Sequence, residues 1–426
     1  MFARLRILLL ASIAGLVVPQ LSAGQAVDAL TLEHAERLLQ QRNRELQAAR
    51  RALETSRANT TMAGARPNPT LSVGVGSINP QLGIGGGAYR DKTVDTSVRL
   101  DQVLERGDRR ELRIATAKNL ESASAEDLSD TLRQQRLALH GAYYDLRYAQ
   151  DRSEIVRETA ALFKGTLDAA ELRLKAGDIA AADVARIRVD ALRALNDARA
   201  AEADVRRAQL ALAYLIGAEA DTVRLRAADA WPAGTGAAAP AVAEDAIDRR
   251  PDVRAARNRV DAAVAARELA RSLRTRDVSV GVQYDHYPAS AGNALGGGNS
   301  YGVFMSVPLF ARYHFEGEIE RAEVDYSAAQ EGLERVRAMA RGELERALSD
   351  LRAAAERVGR YEDSLLAEAK RSADAAEFAY KNGAIGVMDL LDSRRVLGAI
   401  RVDAVAARNE YAKALSVWRT GMPEMR

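Results

Sequence analysis

The chain has 426 residues, with 61 lysines and arginines against 59 aspartates and glutamates, so it carries no basic excess suited to a nucleic acid. It contains no cysteine, which excludes disulfides, thiol catalysis, cysteine-ligated metals and a lipidated amino-terminal cysteine. Alanine, arginine, glutamate and leucine dominate while aromatics make up only 5%, a composition that favours long helices over a compact mixed fold.

Residues 1–26 read as a secretory signal: Arg4 and Arg6 precede an apolar run of about 12 residues, too short for a bilayer, and Gly24, Gln25 and Ala26 offer a cleavage site. Beyond it no run of about 18 apolar residues occurs, so an exported chain of this kind would enter a membrane only as strands. A helix is predicted over 27–65, with Thr31 as N-cap and Leu32, Ala35, Leu38, Leu39, Leu46, Ala49 and Leu53 at helical spacing. Pro67 and Pro69 stop it, and the period changes.

Strands are predicted at about 70–77 and 93–100. Leu71, Val73 and Val75 alternate with Ser72, Gly74 and Gly76, and Val94, Thr96, Val98 and Leu100 alternate with Asp95, Ser97 and Arg99. A glycine-rich loop at 78–89 joins them. A helical pattern over 107–175 would make a rod of roughly 100 Å. A turn at Gly177 leads to a second helix over 178–216. Its length and that of the first helix together match the rod, so the two would lie end to end alongside it. Residues 218–248, rich in alanine, glycine and proline, are expected to be a linker packed outside the rod.

The second half then repeats the first. Pro251 suits a first helical position, and Asp252, Ala255 and Ala256 echo Glu45, Ala48 and Ala49. Strands at about 278–285 and 301–309 flank a second glycine-rich loop at 288–300. A long helix over 317–381, a turn and a last helix over 384–420 follow. The turn segment YKNGAIGVMDLLDSRR, at 380–395, repeats LKAGDIAAADVARIR at 174–188: Lys175 matches Lys381, Gly177 Gly383, Ile179 Ile385, Asp183 Asp389 and Arg188 Arg394. The constant offset marks a duplication. The expected units are therefore 27–217, a linker, 249–421 and a tail at 422–426. Each repeat supplies two strands. Four strands do not close a barrel, and an open edge does not sit in lipid, so several protomers would have to share one.

Enzyme chemistry finds no support. The GIGGG run at 83–87 is not followed by a helix, and His34, His140, His286 and His314 form no short ligand pair. No catalytic, metal or cofactor site is expected. The residues alone leave open a periplasmic coiled-coil adaptor or scaffold, which would share the long helices but not the paired strands.

With the repeats in hand, RPNP at 66–69, SVPLF at 306–310 and the 380–395 segment carry a resemblance to the TolC family of outer-membrane efflux ducts. It covers nearly all of the mature chain. RPNP and SVPLF resemble most the branch that serves cobalt, zinc and cadmium resistance pumps. The resemblance implies a mainly α fold with a small β part: a long α-helical barrel continuous with a transmembrane β-barrel, shared by a homotrimer. It implies the outer membrane of a Gram-negative bacterium, a periplasmic helical tunnel and contact with outer-membrane lipid. The implied partners are a periplasmic adaptor (membrane fusion) protein and an inner-membrane pump of RND type, with no nucleic acid. The implied activity is passive export of heavy-metal cations, with a multidrug or type I secretion duct as the alternative.

By position, Asp389 and Asp392 match the family's acidic ring at the tunnel entrance, where carboxylates attract cations. Tyr380 and Asp183 match residues that hold the closed end shut. Gly177, Asp178 and Ile179, with Gly383, Ala384 and Ile385, match the turn tips that meet the adaptor. Ile385 stands where some relatives have an arginine, which implies a differently held closed state. An aspartate near a helix start also serves simply as cap or dipole partner, and the turn glycines need no role beyond backbone geometry.

Overall fold

The computed structural model describes residues 29–78, 80–81, 86–88, 94–233, 244–288 and 297–422. The expected signal segment lies outside these residues, as do most of the two glycine-rich loops. The fold is mainly helical, with an antiparallel sheet of four strands paired in chain order.

The first helix expected at 27–65 is two helices, α1 (Leu32–Arg42) and α2 (Arg44–Ala63). Thr31 caps α1, accepting the His34 amide at 3.2 Å. The break is at Asn43, whose side-chain oxygen accepts the Leu46 amide at 3.0 Å while its amide group donates to the Leu215 carbonyl at 3.0 Å and to Gln135 at 3.2 Å. One buried side chain thus starts α2 and satisfies an orphan carbonyl at the end of α4 (Ala181–Ile216). This is the point where the two shorter helices meet alongside α3 (Arg109–Ala176), whose 68 residues make a rod of about 100 Å. Leu38, Leu39 and Leu46, Leu139, Tyr143 and Leu146, and Leu212 and Ile216 form the buried core there.

The segment expected to be a plain linker contains a 3-10 helix (Glu219–Arg224) and a short helix, α5 (Glu244–Asp248). It is fastened to the rod. Ala227 bridges to Leu30, the fully buried Tyr143 hydroxyl contacts Leu30, Ala228 and Asp229, and Trp231 stacks on Tyr144 while donating to Asp151 at 2.8 Å.

The second half runs through α6 (Pro251–Ser272), β3 (Val278–Tyr287), β4 (Gly298–Ser306), α7 (Glu316–Arg360), α8 (Leu366–Lys381) and α9 (Val387–Gly421). The helix expected unbroken over 317–381 is interrupted by a π turn at Tyr361–Leu365. An added residue explains it. Asp350-Leu351-Arg352 repeats Asp145-Leu146-Arg147 at an offset of 205, whereas the turn segments below repeat at 206. The wide turn absorbs the extra residue and keeps both stretches of apolar side chains facing inward.

β1 (Thr70–Gly76) and β2 (Asp95–Leu104) pair antiparallel, and β2 runs four residues beyond its predicted end because Gln102 and Leu104 still pair with Val280 and Val278 of β3. β4 begins earlier than predicted and ends at Ser306, since Pro308 has no amide to continue the ladder. The register gathers most of the large apolar residues on one face, with Val103 and Phe304 on the other. Leu71, Leu100, Val282 and Val303 form one cross-strand row, and Val73, Val98, Tyr284 and Tyr301 the next. Tyr301 and Val303 are 81% and 85% exposed. The other face carries Ser72, Arg99, Asp101, Gln283 and Asp285, with Arg99 paired to Asp101 at 2.8 Å and lying 4.5 Å from the Phe304 ring centre. Among the described residues no helix is long and apolar enough to cross a membrane.

Candidate functional site at the two hairpin tips

The turns between α3 and α4 and between α8 and α9 are built alike. In each, a glycine takes the left-handed conformation that closes a helix: Gly177 has φ 82° and Gly383 φ 72°. The next amide reaches back to the helix, Asp178 to the Arg173 carbonyl at 2.9 Å and Ala384 to the Ala379 carbonyl at 2.8 Å. The following helices start three residues later than the sequence suggested, at Ala181 and Val387, because the residues after each glycine complete the turn.

Neither new helix has a capping side chain at its N-cap, which is Ala180 in α4 and Gly386 in α9. In α9 Asp389 supplies the missing acceptor: its carboxylate takes the Gly386 amide at 3.2 Å, half of a capping box. Asp183 holds the same first-turn position in α4, where its charge complements the helix dipole. Asp392 is exposed and pairs with Arg395 at 2.9 Å. Arg395 also reaches Asp190 of α4 at 3.1 Å, so it ties the second hairpin to the first. The two expected ring carboxylates are therefore both present on the surface of α9, one acting as a cap and one sharing an arginine.

Tyr380, Ile179, Val387 and Leu390 line a hollow of about 370 Å³ between the hairpins. Beneath it Phe163, Ala170, Val184, Ile187 and Leu391 form a small core, against which Ile179 packs. Ile179 and Ile385 are half-buried, while Gly177, Asp178, Gly383 and Ala384 stand exposed at the tips.

Each hairpin is also stapled by an ion pair that the sequence reading missed. Arg188 meets Glu171 at 2.8 Å, and Arg394 meets Glu377 at the same place in the second hairpin. Lys381 adds a contact to Glu377 at 2.9 Å. The Lys381 hydrogen bond, then the Arg394 charge, hold the Glu377 carboxyl below the usual carboxylate range. The signal was available: an arginine follows a glutamate by the same 17 residues in both halves. Among the described residues no group of three or more histidines and carboxylates is placed to hold a metal ion.

Comparison with known proteins follows the same line. A family model described as outer membrane efflux protein matches residues 37–218 and 242–416. The cobalt-zinc-cadmium resistance protein CzcC of Cupriavidus metallidurans is 26% identical over 385 residues, covering 89% of this chain and 86% of that protein. Among solved structures, the Campylobacter jejuni CmeC outer membrane channel superposes with a TM-score of 0.77 at 15% identity, covering 92% of this chain and 85% of that one. CusC, described with its transmembrane channel formation, superposes with a TM-score of 0.75 at 18% identity, covering 92% of each chain.

Proposed function

This chain belongs to the outer membrane efflux protein family, and from that premise we propose that it is the passive exit duct of a tripartite efflux system, placed in the outer membrane of a Gram-negative bacterium. The observation that carries the reading is the sheet. Its four strands carry most of their large apolar residues on one face while the opposite face is mainly polar, and among the described residues the sheet ends in two unpaired edges, β1 and β4. An apolar face of that size belongs in lipid, and open edges do not. Because the strand number is even, β4 of one protomer meets β1 of the next antiparallel, so identical protomers close a barrel by rotation alone. Three protomers, as in the resemblance drawn above, would reach the size of a modest outer-membrane barrel. The helical rods continue that barrel into the periplasm, and the exposed tips at Gly177–Asp178 and Gly383–Ala384 are the surface for an adaptor that recruits an inner-membrane pump of RND type.

The cargo we infer is divalent metal cations. The support is the cobalt-zinc-cadmium resistance relative, together with Asp389 and Asp392, exposed close to the second tip. In this reading Tyr380 and Asp183 belong to the closed end, and the Arg395 bridge from Asp392 to Asp190 takes over the clasping role for which Ile385 has no charge. Energy comes from the pump, and the duct itself does no chemistry.

Cysteine cross-linking tests the architecture, since the natural chain offers no competing thiol. With Ser72→Cys in β1, a cysteine scanned along β4 should yield covalent trimers in the outer-membrane fraction. Monomers at every position, or recovery in the soluble fraction, would sink the duct. Growth of a deletion strain on graded zinc, cobalt and cadmium, beside dyes and detergents, tests the cargo: metal sensitivity supports the cation reading, and sensitivity to dyes and detergents alone replaces it with a multidrug duct.

A further inference from the structure

At the helix end of the sheet the apolar face stops at Leu104 and Val278, which pair with each other. Two residues beyond them on either side stand Arg106 and Arg276, with Arg274 close by. Together with Phe310, His314 and Glu316 they line a hollow of about 590 Å³. None of these three arginines forms an ion pair among the described residues. Arg274 donates to the His314 carbonyl at 3.3 Å, and Arg276 lies 5.5 Å from the centre of the Phe310 ring. The acids nearby are engaged elsewhere: Asp277 by Arg109 at 2.6 Å and the Arg106 amide at 3.1 Å, Glu316 by the His314 amide at 3.0 Å and its ring at 3.6 Å. The floor is fixed, because Gly107, at φ 74°, lets the Arg106 loop press on Thr275; a Cβ there would sit 2.8 Å from the Thr275 Cβ. Leu309, 78% exposed, and Tyr313, 50% exposed, are the chain neighbours of the lining residues Phe310 and His314.

Three unpaired guanidiniums over a fixed floor, beside exposed apolar and aromatic side chains and directly below a lipid-facing surface, match a phosphodiester with an acyl chain attached. We propose that this junction binds the headgroup of an anionic phospholipid from the periplasmic leaflet of the outer membrane, with Arg106, Arg274 and Arg276 on the phosphate and Leu309 along the chain. The site rests on the reading that the strands span the membrane. It anchors the rod at one height and makes lipid composition a factor in how firmly the barrel and tunnel are joined.

Native mass spectrometry of the full-length oligomer in neutral detergent, titrated with phosphatidylglycerol or phosphatidylcholine, tests this. The intact protein should retain phosphatidylglycerol about tenfold more tightly than phosphatidylcholine, and inorganic phosphate at millimolar concentration should not displace it. Arg106→Gln with Arg274→Gln and Arg276→Gln should abolish the preference, and Arg276→Gln alone should reduce it by a few-fold, which keeps the test alive if the triple variant assembles poorly. Arg199→Gln with Arg206→Gln, on α4, should leave it intact. Equal retention of both lipids, or a preference that survives the Arg106, Arg274 and Arg276 substitutions, overturns the site. Displacement by phosphate alone overturns the lipid in favour of the free anion. Membrane fractionation of the same preparations separates this outcome from failure of the duct itself: an oligomer inserted without lipid preference refutes only the site.

Discussion

Tyr143→Phe is the most informative single change in the rod. The Tyr143 hydroxyl lies 2.9 Å from both the Leu30 carbonyl and the Asp229 carboxylate, and accepts the Ala228 and Asp229 amides at 3.2 and 3.1 Å. Removing the oxygen leaves the ring packed but strips the Asp229 amide of its acceptor and the Asp229 carboxylate of a donor, although that carboxylate keeps the Leu32 amide at 2.6 Å. Losing about two net hydrogen bonds in a buried setting costs roughly 2 kcal/mol. The loss falls on the docking of the crossover segment, not on the rod, whose core there is otherwise aliphatic. Amide exchange at Ala228 and Asp229 should therefore speed up about thirtyfold while the α3 amides stay unchanged. Unaltered exchange at Ala228 and Asp229, or equal acceleration throughout α3, would refute the assignment of this hydroxyl as a local fastener. The same hydroxyl sets an alkaline limit. Burial, with Asp229 alongside, pushes the Tyr143 phenol up to about 12 from its ordinary 10.0. A raised phenol favours the protonated native state, so its contribution is complete below pH of about 10 and fades as pH rises towards about 12. With Trp418→Phe as background, Trp231 fluorescence should report detachment in that window for the natural Tyr143 and show no such step in Tyr143→Phe.

Other consequences can be checked in the same preparations. Asp392→Asn should free Arg395 for Asp190 alone and weaken block of the reconstituted pore by multivalent cations, and Asp389→Asn should do so less because its carboxylate is partly occupied by the Gly386 amide; unchanged block in planar bilayers for both would count against a pore role. Glu377→Gln should loosen the second tip, read as broader spin-label distances across the α8–α9 hairpin, with only a modest change in the thermal midpoint because the pair stays partly in solvent. Deleting Asp363 should convert the π turn to regular helix, visible by crystallography or cryo-electron microscopy, and leave the Arg394–Glu377 pair in place; loss of assembly instead would show that the wide turn is itself required.

Much of this architecture was readable in advance because its signals are local and long. Sustained apolar spacing over 107–175 specifies α3, and strict alternation around Val73 and Val98 specifies both the strands and which side chains share the apolar face. The break at Asn43 was not readable, since the side chain that causes it is held by Gln135 and Leu215, which are 92 and 172 residues away. The π turn leaves only a one-residue change in offset between two short triplets, easily lost beside the stronger turn motif. At the tips the glycines announced the turns, but the acid–base partners needed more. The Glu171–Arg188 spacing recurs in both halves and was there to be found, whereas the Asp190–Arg395 contact joins two hairpins that only the tertiary fold brings together.

The unpaired edges of β1 and β4 bear on genetics as much as on structure. If the sheet is completed only by its neighbours, as proposed, every pore is a committee of chains, each holding one seat. If three seats are filled at random from equal pools of normal and edge-damaged chains, only about one pore in eight is wholly normal. A damaged copy carried on a plasmid should thus poison export in a strain that still makes the intact protein, whereas a damaged chain unable to offer either edge should be harmless.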